Sequence, residues 1–592
     1  MTKTKRIRSF YGHKTFLMTV LCLFGLCLLS QPASAQRRGK GKAQEQRVYL
    51  DHADELYYDE FARPGVQIAK GRVQFHHNGA RLFCDSAYFQ QESNTFDAFG
   101  HVRLLQGDTL SLTSNYAYYD GNEEMVRARR NVVLRHRKSV LYTDSLDYDR
   151  AYNFGYFFEG GKIVDGNNNI VSDWGEYNTE TREAIFYYNV VLKSPKYTIN
   201  TDTLHYDTRK SMAHVMGPST ILSDGNTIHT SQGFYDTKQD RTELFGRSTI
   251  ENKQKSITAD TLYNNSKTGI SEGFGNVIYI DKENKNELHA GYGYYNEKEG
   301  TGVAARRPVA IDYSQGDTLW VHADSIRMKT FHIDTDSAYR VVYGYYKVRA
   351  YRKDVQGVCD SLVINSKDSC MTMYRDPIAW YGERQLLGEI IKIYSQDSTI
   401  RFAHVIGQAS SIEKMGDNEH YNQVASKDMK AYFTDGKIRM SEAIGNVQTV
   451  YYPIDEKDSS IVVLNYLEGD TMRMFFDETR RLQRIWVSKP KATAYPLTQA
   501  PPEKHWLPNF TWFDYIRPLD KDDIFIWRGK EKGTEIKAQK RRVAPLQQIG
   551  VSAGKVDAPQ TEGGDTPGVC SDNVVRARSV KTIFMAKSGS CV

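Results

Sequence analysis

Short runs of alternating apolar and polar residues recur along most of the chain, each about a dozen residues long. Ala184 to Leu192 and Tyr197 to Tyr206 are two neighbouring examples. Two kinds of turn separate the runs: one follows a Tyr-Asp or Tyr-Asn pair, and the other is short and rich in Gly, Asn or Pro, as at Ser223 to Asn226. Because tight turns between alternating runs are typical of hairpins, the pattern predicts antiparallel strands that pair with their neighbours.

A repeated phrase shows that these runs form units of 29 to 31 residues. The phrase is Asp-x-Leu-x-Tyr followed by Asp or Asn, with weaker copies, and its first residues are Asp54, Asp85, Asn115, Asp144, Asp173, Asp202, Ser231 and Asp260. Looser copies begin at Gly291, Asp324, Asp360, Asp428 and Asp470. Such even spacing indicates a repeat architecture, and the wider later spacing predicts insertions in loops.

A second phrase, Gly-x-Val or Asn-Val, lies between copies of the first, for example at Gly71, Gly100, Asn131, Asn189, Gly275 and Gly445. Each unit therefore has two strands, and glycine inside a strand often marks a bend. We predict an all-β fold, an elongated stack of antiparallel strands bent into a trough with two walls. The alternative is a parallel β-solenoid with one coil per repeat, since the pattern alone does not determine the direction of winding.

The first 35 residues have the pattern of a secretory signal peptide: basic residues up to Lys14, an apolar run from Phe16 to Leu29, and a small-residue cleavage pattern at Ala33 to Ala35. A single membrane anchor is the alternative, but this run is shorter than the roughly 20 residues that a span needs. The predicted segments are a signal peptide (1–35), a flexible basic segment (36–46), regular β-repeats (47–330), irregular β-repeats (331–490), an aromatic C-terminal cap (491–530) and a disordered tail (531–592). The cap has an alternative role in docking a partner.

The composition argues against a nucleic-acid-binding protein and against a disulfide-stabilised fold. Five of the 78 basic residues and none of the 72 acidic ones precede residue 36, so the remaining chain is nearly neutral, unlike a nucleic-acid-binding protein. Five cysteines remain at irregular spacing, which is no disulfide framework; Cys359 and Cys370 could pair or stay as thiols.

Motifs of enzymes, cofactor sites and metal sites are absent from the sequence: there is no Walker-type loop, no His-Glu-x-x-His, no Gly-x-Ser-x-Gly and no zinc-ligand spacing. His76 and His77 are expected to be solvated in a turn. The recurrent Asp could suggest a glycan-cleaving solenoid, but a residue present in every unit is typical of a structural corner, not of one active site. We predict no enzymatic activity, no cofactor and no metal.

The two phrases together resemble the OstA-like, or LptA-type, family of lipopolysaccharide-transport proteins. The nearest copies are Ala259 to Asn264 with Gly275 to Val277, and Ala53 to Asp59 with Gly71 to Val73. The resemblance extends from about residue 47 to 330 and more weakly to about 490. It implies a jelly-roll-like stack (a β-taco) in the periplasm of a Gram-negative bacterium, with possible association with the outer membrane, and an apolar groove that carries lipopolysaccharide acyl chains from the inner to the outer membrane.

The resemblance also implies partners: lipopolysaccharide, an inner-membrane extraction complex and an outer-membrane insertion barrel bound through the terminal strands, and head-to-tail self-association. The chain is much longer than a simple bridge subunit and lacks the long C-terminal strand series of the barrel member, so a long variant of the bridge fits best. A structural or adhesive β-repeat scaffold of the cell envelope is the alternative function.

Candidate site residues follow from the recurrent apolar positions of both phrases, which we expect to line the groove: Leu56, Val73, Val102, Val132, Leu146, Val190, Leu204, Leu262, Val277 and Ile326. At any one of them, filling of a closed core is an equally good interpretation. The N-terminal strand is predicted to be a docking edge, formed by Val48, Leu50, Leu56 and Tyr57.

Overall fold

A computed structural model describes residues 47–223, 225–314, 317–333, 335–396, 399–454, 460–479 and 481–536. The predicted signal peptide, the basic segment and most of the predicted tail lie outside these residues. The described part divides into two compact units, the first with residues 47–111 and 116–125, and the second with residues 112–115 and 126–536.

Strands make up most of both units. The first unit contains β1 (Tyr49–His52), β2 (Glu55–Tyr58), β3 (Gln67–His77), β4 (Ala80–Gln90) and β5 (Thr95–Gln106), and the residues of β6 (Leu110–Asp120) and β7 (Met125–His136) are divided between the units. The second unit contains β8 (Ser139–Asp149), β9 (Phe154–Phe157), β10 (Gly161–Asp165), β11 (Asn168–Ser172), β12 (Trp174–Asn178), β13 (Glu183–Lys193), β14 (Tyr197–Asp207), β15 (Met212–Ser223), β16 (Asn226–Asp236), β17 (Arg241–Glu251), β18 (Lys255–Asn265), β19 (Ile270–Asp281), β20 (Asn286–Asn296), β21 (Thr301–Ala305), β22 (Val309–Asp312), β23 (Leu319–His322), β24 (Ser325–Phe331), β25 (Tyr339–Tyr351), β26 (Val355–Asn365), β27 (Cys370–Tyr374), β28 (Ile378–Tyr381), β29 (Arg384–Leu387), β30 (Ile390–Gln396), β31 (Thr399–Lys414), β32 (Tyr421–Thr434), β33 (Lys437–Tyr451), β34 (Val463–Phe476), β35 (Leu482–Ser488) and β36 (Lys491–Pro496). Four 3-10 turns follow at Leu497–Gln499, Pro502–Lys504, Asp514–Ile516 and Asp523–Phe525.

Pairing is antiparallel in both units. In the first unit β3 pairs with β1, β2 and β4, and β4 pairs with β5. In the second unit β13 to β20 pair consecutively, and the same direction continues through to β36. The predicted all-β stack of antiparallel strands is confirmed, and consecutive antiparallel pairing excludes the parallel solenoid that the sequence left open.

Most long strands contain a bulge at their middle. Between β13 and β14, Tyr187 pairs with Thr203 and Val190 with Thr201, so Tyr188 and Asn189 lie opposite the single residue Asp202. Tyr188 and Asn189 both have positive φ, of 61° and 51°. A strand bends sharply where two of its residues, both in the left-handed conformation, lie opposite one residue of the partner strand. The second phrase, Gly-x-Val or Asn-Val, therefore encodes the bend.

The recurrent Asp stabilises the same bend. Asn276 donates its side-chain N–H to Asp260 at 2.8 Å, and Asn189 donates to Asp173 at 2.7 Å. In the first unit the Arg72 guanidinium binds Asp54 in the same way, at 2.6 Å. Each of these Asp side chains thus binds a bulge residue at a corner, which gives the recurrent Asp a structural role there.

The bend gives every long strand of the second unit two halves, which belong to two walls. Wall A consists of the halves next to the Tyr-Asp turns, and wall B of the halves next to the short turns. Where the bend interrupts a strand, the halves become separate strands: β20 pairs through Tyr292–Asn296 with β21 and through Asn286–His289 with β22. Accordingly β21, β24, β27, β30 and β35 belong to wall A, and β22, β23, β28, β29 and β36 to wall B.

Gly275→Ala is expected to destabilise the corner. Gly275 has φ +72°, and an added Cβ would come within 2.5 Å of the Asp260 carboxylate. Gly225 has a similar φ of +77° but open space around it, so Gly225→Ala is the matched control that carries only the φ cost. We expect Gly275→Ala to lower the free energy of unfolding by about 1–2 kcal/mol more than Gly225→Ala, measured by thermal unfolding. An equal loss of stability in the two variants would contradict a tight contact between Gly275 and Asp260 at the corner.

Two expectations about polar side chains need correction or completion. His76 and His77 end β3 and do not lie in a solvated turn; His77 is buried and its Nδ1 lies 2.7 Å from the Tyr119 hydroxyl. The alternating pattern of β3 turns His77 inward, where the tyrosine replaces water. Cys359 and Cys370 are both buried free thiols.

Candidate functional site

Large side chains fill the space between the two walls from β8 to about β17. Leu146, Tyr148, Phe157, Phe186 and Tyr206 are each at most 1% exposed. The rings of Tyr197 and Tyr235 pack at 4.3 Å between centroids. This part of the second unit has a closed hydrophobic core.

From β20 onwards the inside differs. Eleven buried side chains from both walls still form one cluster, but they are smaller, with Ala290, Ala304, Ala323 and Ala409 among them. Nine further apolar side chains pack against this cluster and stay only partly buried: Leu288, Ala310, Val321, Val342, Met371, Ala379, Leu386, Ile393 and Met429. An apolar inner surface therefore remains in contact with solvent over the later strands.

Most of these partly exposed side chains belong to two continuous rows, one on each wall. The wall B row follows directly paired positions, Leu288, Ala310, Val321, Ala350, Gly357, Ala379 and Leu386, of which only Gly357 is buried. The wall A row likewise consists of directly paired positions: Val342, Ile364, Met371, Ile393 and Ala403. At about 4.8 Å per strand, the six steps of the wall B row extend roughly 29 Å. Neither row contains a charged side chain.

The two rows differ in chemistry. Wall B presents mostly alanine and glycine, so it is flat, whereas wall A presents isoleucine and the flexible methionine side chain. Methionine adapts to irregular apolar partners. Small side chains therefore line one wall and flexible ones line the other. We name the two rows together the inner apolar surface.

The outer face of wall B is covered by residues 497–527, which we call the C-terminal strap. Leu507 packs with Val450, Tyr452 and Leu464; Phe513 and Ile516 pack with Trp380 and Ile412 among others; and Ile524 packs with Val309 and Ile311. The strap thus runs backwards from the last strands to β22.

The sequence predicted residues 491–530 as a cap on the last strand. Residues 491–496 instead form β36, and the aromatic residues that follow lie along some eight earlier strand segments of wall B. The physical reason is that wall B is apolar on its outer side as well from β22 onwards, so the strap buries a long face and not one end.

Buried glutamines of wall B hold the strap. Gln423 donates to the His505 carbonyl at 2.8 Å and accepts from the Leu507 N–H at 2.9 Å. Gln385 binds the Thr511 carbonyl and the Phe513 N–H in the same two-sided way, both at 2.8 Å. Further on, Arg517 donates to Gln356 at 2.8 Å. The amides of Gln385 and Gln423 thus satisfy backbone groups of a segment that forms no β-ladder of its own.

The far end of the strap is predicted to loosen in acid. His322 is buried against Phe525, with ring centroids 4.7 Å apart, and it faces Arg349, Arg307 and Asp324. Burial is the main cause that lowers the pKa of His322, followed in the same direction by the nearby arginines. The neutral ring is therefore the folded form: its contribution to stability is present above the usual histidine pKa of about 6.5 and is lost as the pH falls through the lower folded value.

Hydrogen exchange of residues 519–527, corrected for intrinsic rates, is the measurement for this effect. We expect faster exchange at pH 5 than at pH 7.5 in the natural protein and a smaller difference in His322→Gln, which cannot take up a proton. A pH response of the same size in both would contradict the assignment to His322.

The candidate groove residues chosen from sequence lie beside the corners. In the first unit Val73 and Val102 are buried and Leu56 is 55% exposed. In the second unit seven are buried: Val132, Leu146, Val190, Leu204, Leu262, Val277 and Ile326. Only Ile326 belongs to the inner cluster of the later strands. That any of them touches lipid stays a prediction.

Sequence reasoning missed the inner apolar surface itself. Its residues lie further from the corners than the repeated phrases do, in the stretch where the repeat spacing becomes irregular. The signal that could have revealed them is the small size of Ala350, Gly357 and Ala379. In earlier repeats the same column of paired positions carries larger side chains, such as Ile199, Ile221 and Ile228.

The predicted docking edge is only partly exposed. Leu56 and Tyr57 are 55% and 48% exposed on β2. Val48, in contrast, is buried, and its N–H donates to Asn94 at 2.8 Å. Leu50 is half-buried in β1. Among the described residues β1 and β2 pair with β3 alone, which leaves one side of each strand without a ladder.

Neither a metal site nor a membrane-spanning helix is found among the described residues. No group of three or more His, Cys, Asp or Glu side chains is arranged to hold a metal ion within the described residues. Within the same residues no helix has both the length and the apolar character needed to span a bilayer.

These features define a class: an all-β protein of stacked, bent antiparallel strands with an apolar interior that is closed in its earlier part and partly open in its later part. Residues 45–202 match the sequence model of the family described as OstA-like protein. This match confirms, over those residues, the resemblance to the OstA-like family that the repeated phrases predicted.

A crystal structure of LptH, the LptA-homologous periplasmic component of the conserved lipopolysaccharide transport device from Pseudomonas aeruginosa, is similar over 23% of this chain and 81% of that chain, with 16% sequence identity. The TM-score of 0.13 supports no conclusion about this chain. No curated protein matches the sequence.

Proposed function

We propose that this protein is a periplasmic carrier that binds the acyl chains of lipopolysaccharide on its inner apolar surface and passes the lipid from the inner towards the outer membrane. The observation that carries the proposal is the pair of uncharged rows on β20 to β31, which are partly exposed to solvent although they face the inside of the stack. The OstA-like match of residues 45–202 supports the same function.

The energetics explain why such a surface is needed. Exposing one acyl chain of a dozen carbons to water costs on the order of 10 kcal/mol, at about 0.8 kcal/mol per methylene. Paired positions along a row offer equivalent apolar contacts at every strand, so a chain that moves along the row exchanges like contacts for like. The row is therefore suited to movement of an acyl chain along the protein, and not only to holding the chain in one place.

Partners follow from the free edges. Among the described residues β1 and β2 are paired on one side only, as are β35 and β36. Such edges accept strands of other proteins. We assign them to an inner-membrane extraction complex and an outer-membrane insertion barrel, or to head-to-tail contact between copies. Because no catalytic constellation is part of this proposal, a partner supplies the energy for directed movement.

A structural scaffold of the envelope is the second candidate. The closed core between β8 and β17 favours it, since Phe186 and Tyr206 leave no passage for a lipid there. A carrier must then receive and release lipid within the later strands.

Binding of purified protein to intact lipopolysaccharide and to its deacylated saccharide distinguishes the two functions. The carrier predicts binding of the intact lipid and at least tenfold weaker binding of the saccharide, because the acyl chains supply the contact area. Absence of binding to the intact lipid, or equal binding of both, would favour the scaffold.

A further inference from the structure

The hydrophobic packing of wall B changes sides along the second unit. From β14 to β18 the outer face carries the paired polar positions Asn200, Thr220, His229, Thr249 and Thr258, and the packing lies inside. From β22 onwards the same outer column continues as Val309, His322, Arg349, Val358, Ile378 and Leu387. These positions, and their neighbours, are buried by the strap.

The strap covers the outer face of most of the stretch whose inner face is partly exposed. Its contacts extend from Leu464 on β34 to Val309 on β22, and the inner wall B row extends from Leu288 on β20 to Leu386 on β29, so the two coincide from β22 to β29. A sheet must bury at least one face to be stable. Where large inner side chains are missing, the strap supplies the packing on the opposite face.

The anchoring is polar and specific at each step. Gln385 is 0% exposed and Gln423 is 1% exposed. The side-chain N–H of each donates to a strap carbonyl, and its side-chain oxygen accepts from a strap N–H. At the far end the Arg349 side chain donates to the Ile524 carbonyl. Loss of one glutamine leaves two buried backbone groups without a partner, which is costly at a buried site.

We propose that the C-terminal strap is the outer support that allows the inside of the stack to stay open for an apolar guest, with Gln385 and Gln423 as the positioning residues that hold it. The lipid part of this inference rests on the proposed function. The mechanical part, that the strap stabilises wall B and not wall A, stands independently.

Hydrogen exchange of the full-length Gln385→Ala/Gln423→Ala variant tests the mechanical part. We expect exchange of the strap and of wall B strands β28 and β29 to rise at least tenfold, while wall A strands β27 and β30 change less than twofold. Gln232→Ala, at an exposed position of β16, is the control and should change neither. Faster exchange of the strap with unchanged β28 and β29, or equal loosening of both walls, would overturn the support role. If the double variant does not fold, Arg517→Ala is measured in the same way; it removes the contact of the strap with Gln356, together with the 3.9 Å ion pair to Asp514 within the strap.

Lipid binding of the same variants tests the link to the inner apolar surface. We expect about tenfold weaker binding of lipopolysaccharide in the double variant than in Gln232→Ala. Unchanged binding in a variant whose wall B exchanges faster would overturn the link. Absence of lipid binding in the natural protein would refute the proposed function and this link, whereas the exchange pattern would still decide the support role.

Discussion

Ile393→Asp is expected to weaken lipid binding by at least 100-fold with little loss of stability. Ile393 lies in the wall A row and is only partly buried in the free protein, so a carboxylate there keeps contact with water. Once acyl chains cover the row, that carboxylate loses its water, and burial of an unpaired charge costs several kcal/mol. Since 1.4 kcal/mol corresponds to a factor of ten, a 100-fold loss is a low bound.

Lys392→Asp provides the control within the same strand. Lys392 precedes Ile393 on β30 and therefore points to the opposite face of wall A. The same carboxylate at the same depth of the stack should leave the affinity within about twofold, although Lys392→Asp changes the net charge by −2 and Ile393→Asp by only −1. The two affinities, with thermal unfolding of both variants, are the measurement. Equal losses at both positions would show that charge or stability, and not the inner surface, controls binding.

Phe186→Ala is expected to have the largest effect on stability among these variants. It should have little effect on lipid binding. Phe186 is 0% exposed in the closed core, and truncation of a buried phenylalanine typically costs 3–5 kcal/mol. Hydrogen exchange of β12 to β14 is the direct measurement, because a chain of this length need not unfold in one step. Lipid affinity should remain within a few-fold, since Phe186 lies outside the later strands.

Tyr188→Ala, two residues away, is the control for Phe186→Ala. Tyr188 is 60% exposed at the bulge of β13, so its truncation should change stability by less than about 0.5 kcal/mol. A large loss of lipid binding in Phe186→Ala with intact later strands would contradict the division into a closed and an open part.

The strand stack and its corners could be predicted from the sequence for a physical reason. In the regular repeats of the second unit both walls bury one face only, so apolar and polar residues alternate and the two repeated phrases recur at nearly constant spacing. Asp260 with Gly275 and Asn276 shows the link: the contact that repeats in space also repeats in the sequence.

The inner apolar surface and the strap could not be predicted in the same way. From β22 onwards wall B is buried on its outer face and partly exposed on its inner face. The alternation of apolar and polar residues therefore no longer indicates which face of the strand is buried in a core. The contacts that hold the strap are also remote in sequence: Gln385 binds backbone atoms 126 and 128 residues away. A single glutamine in an irregular strand gives no sign of such a partner. The aromatic cluster was visible in the sequence, but the face it covers was not.

Site-specific photo-cross-linking in growing cells tests the central claim, that acyl chains lie on the inner apolar surface, most directly. A photoreactive residue at Val321 or Leu386 should form adducts with lipopolysaccharide, whereas one at Lys392, on the outer face, or at Tyr206, in the closed core, should not. Adducts at Lys392 but not at Val321 and Leu386, or no lipid adduct at any of the four positions, would contradict the claim.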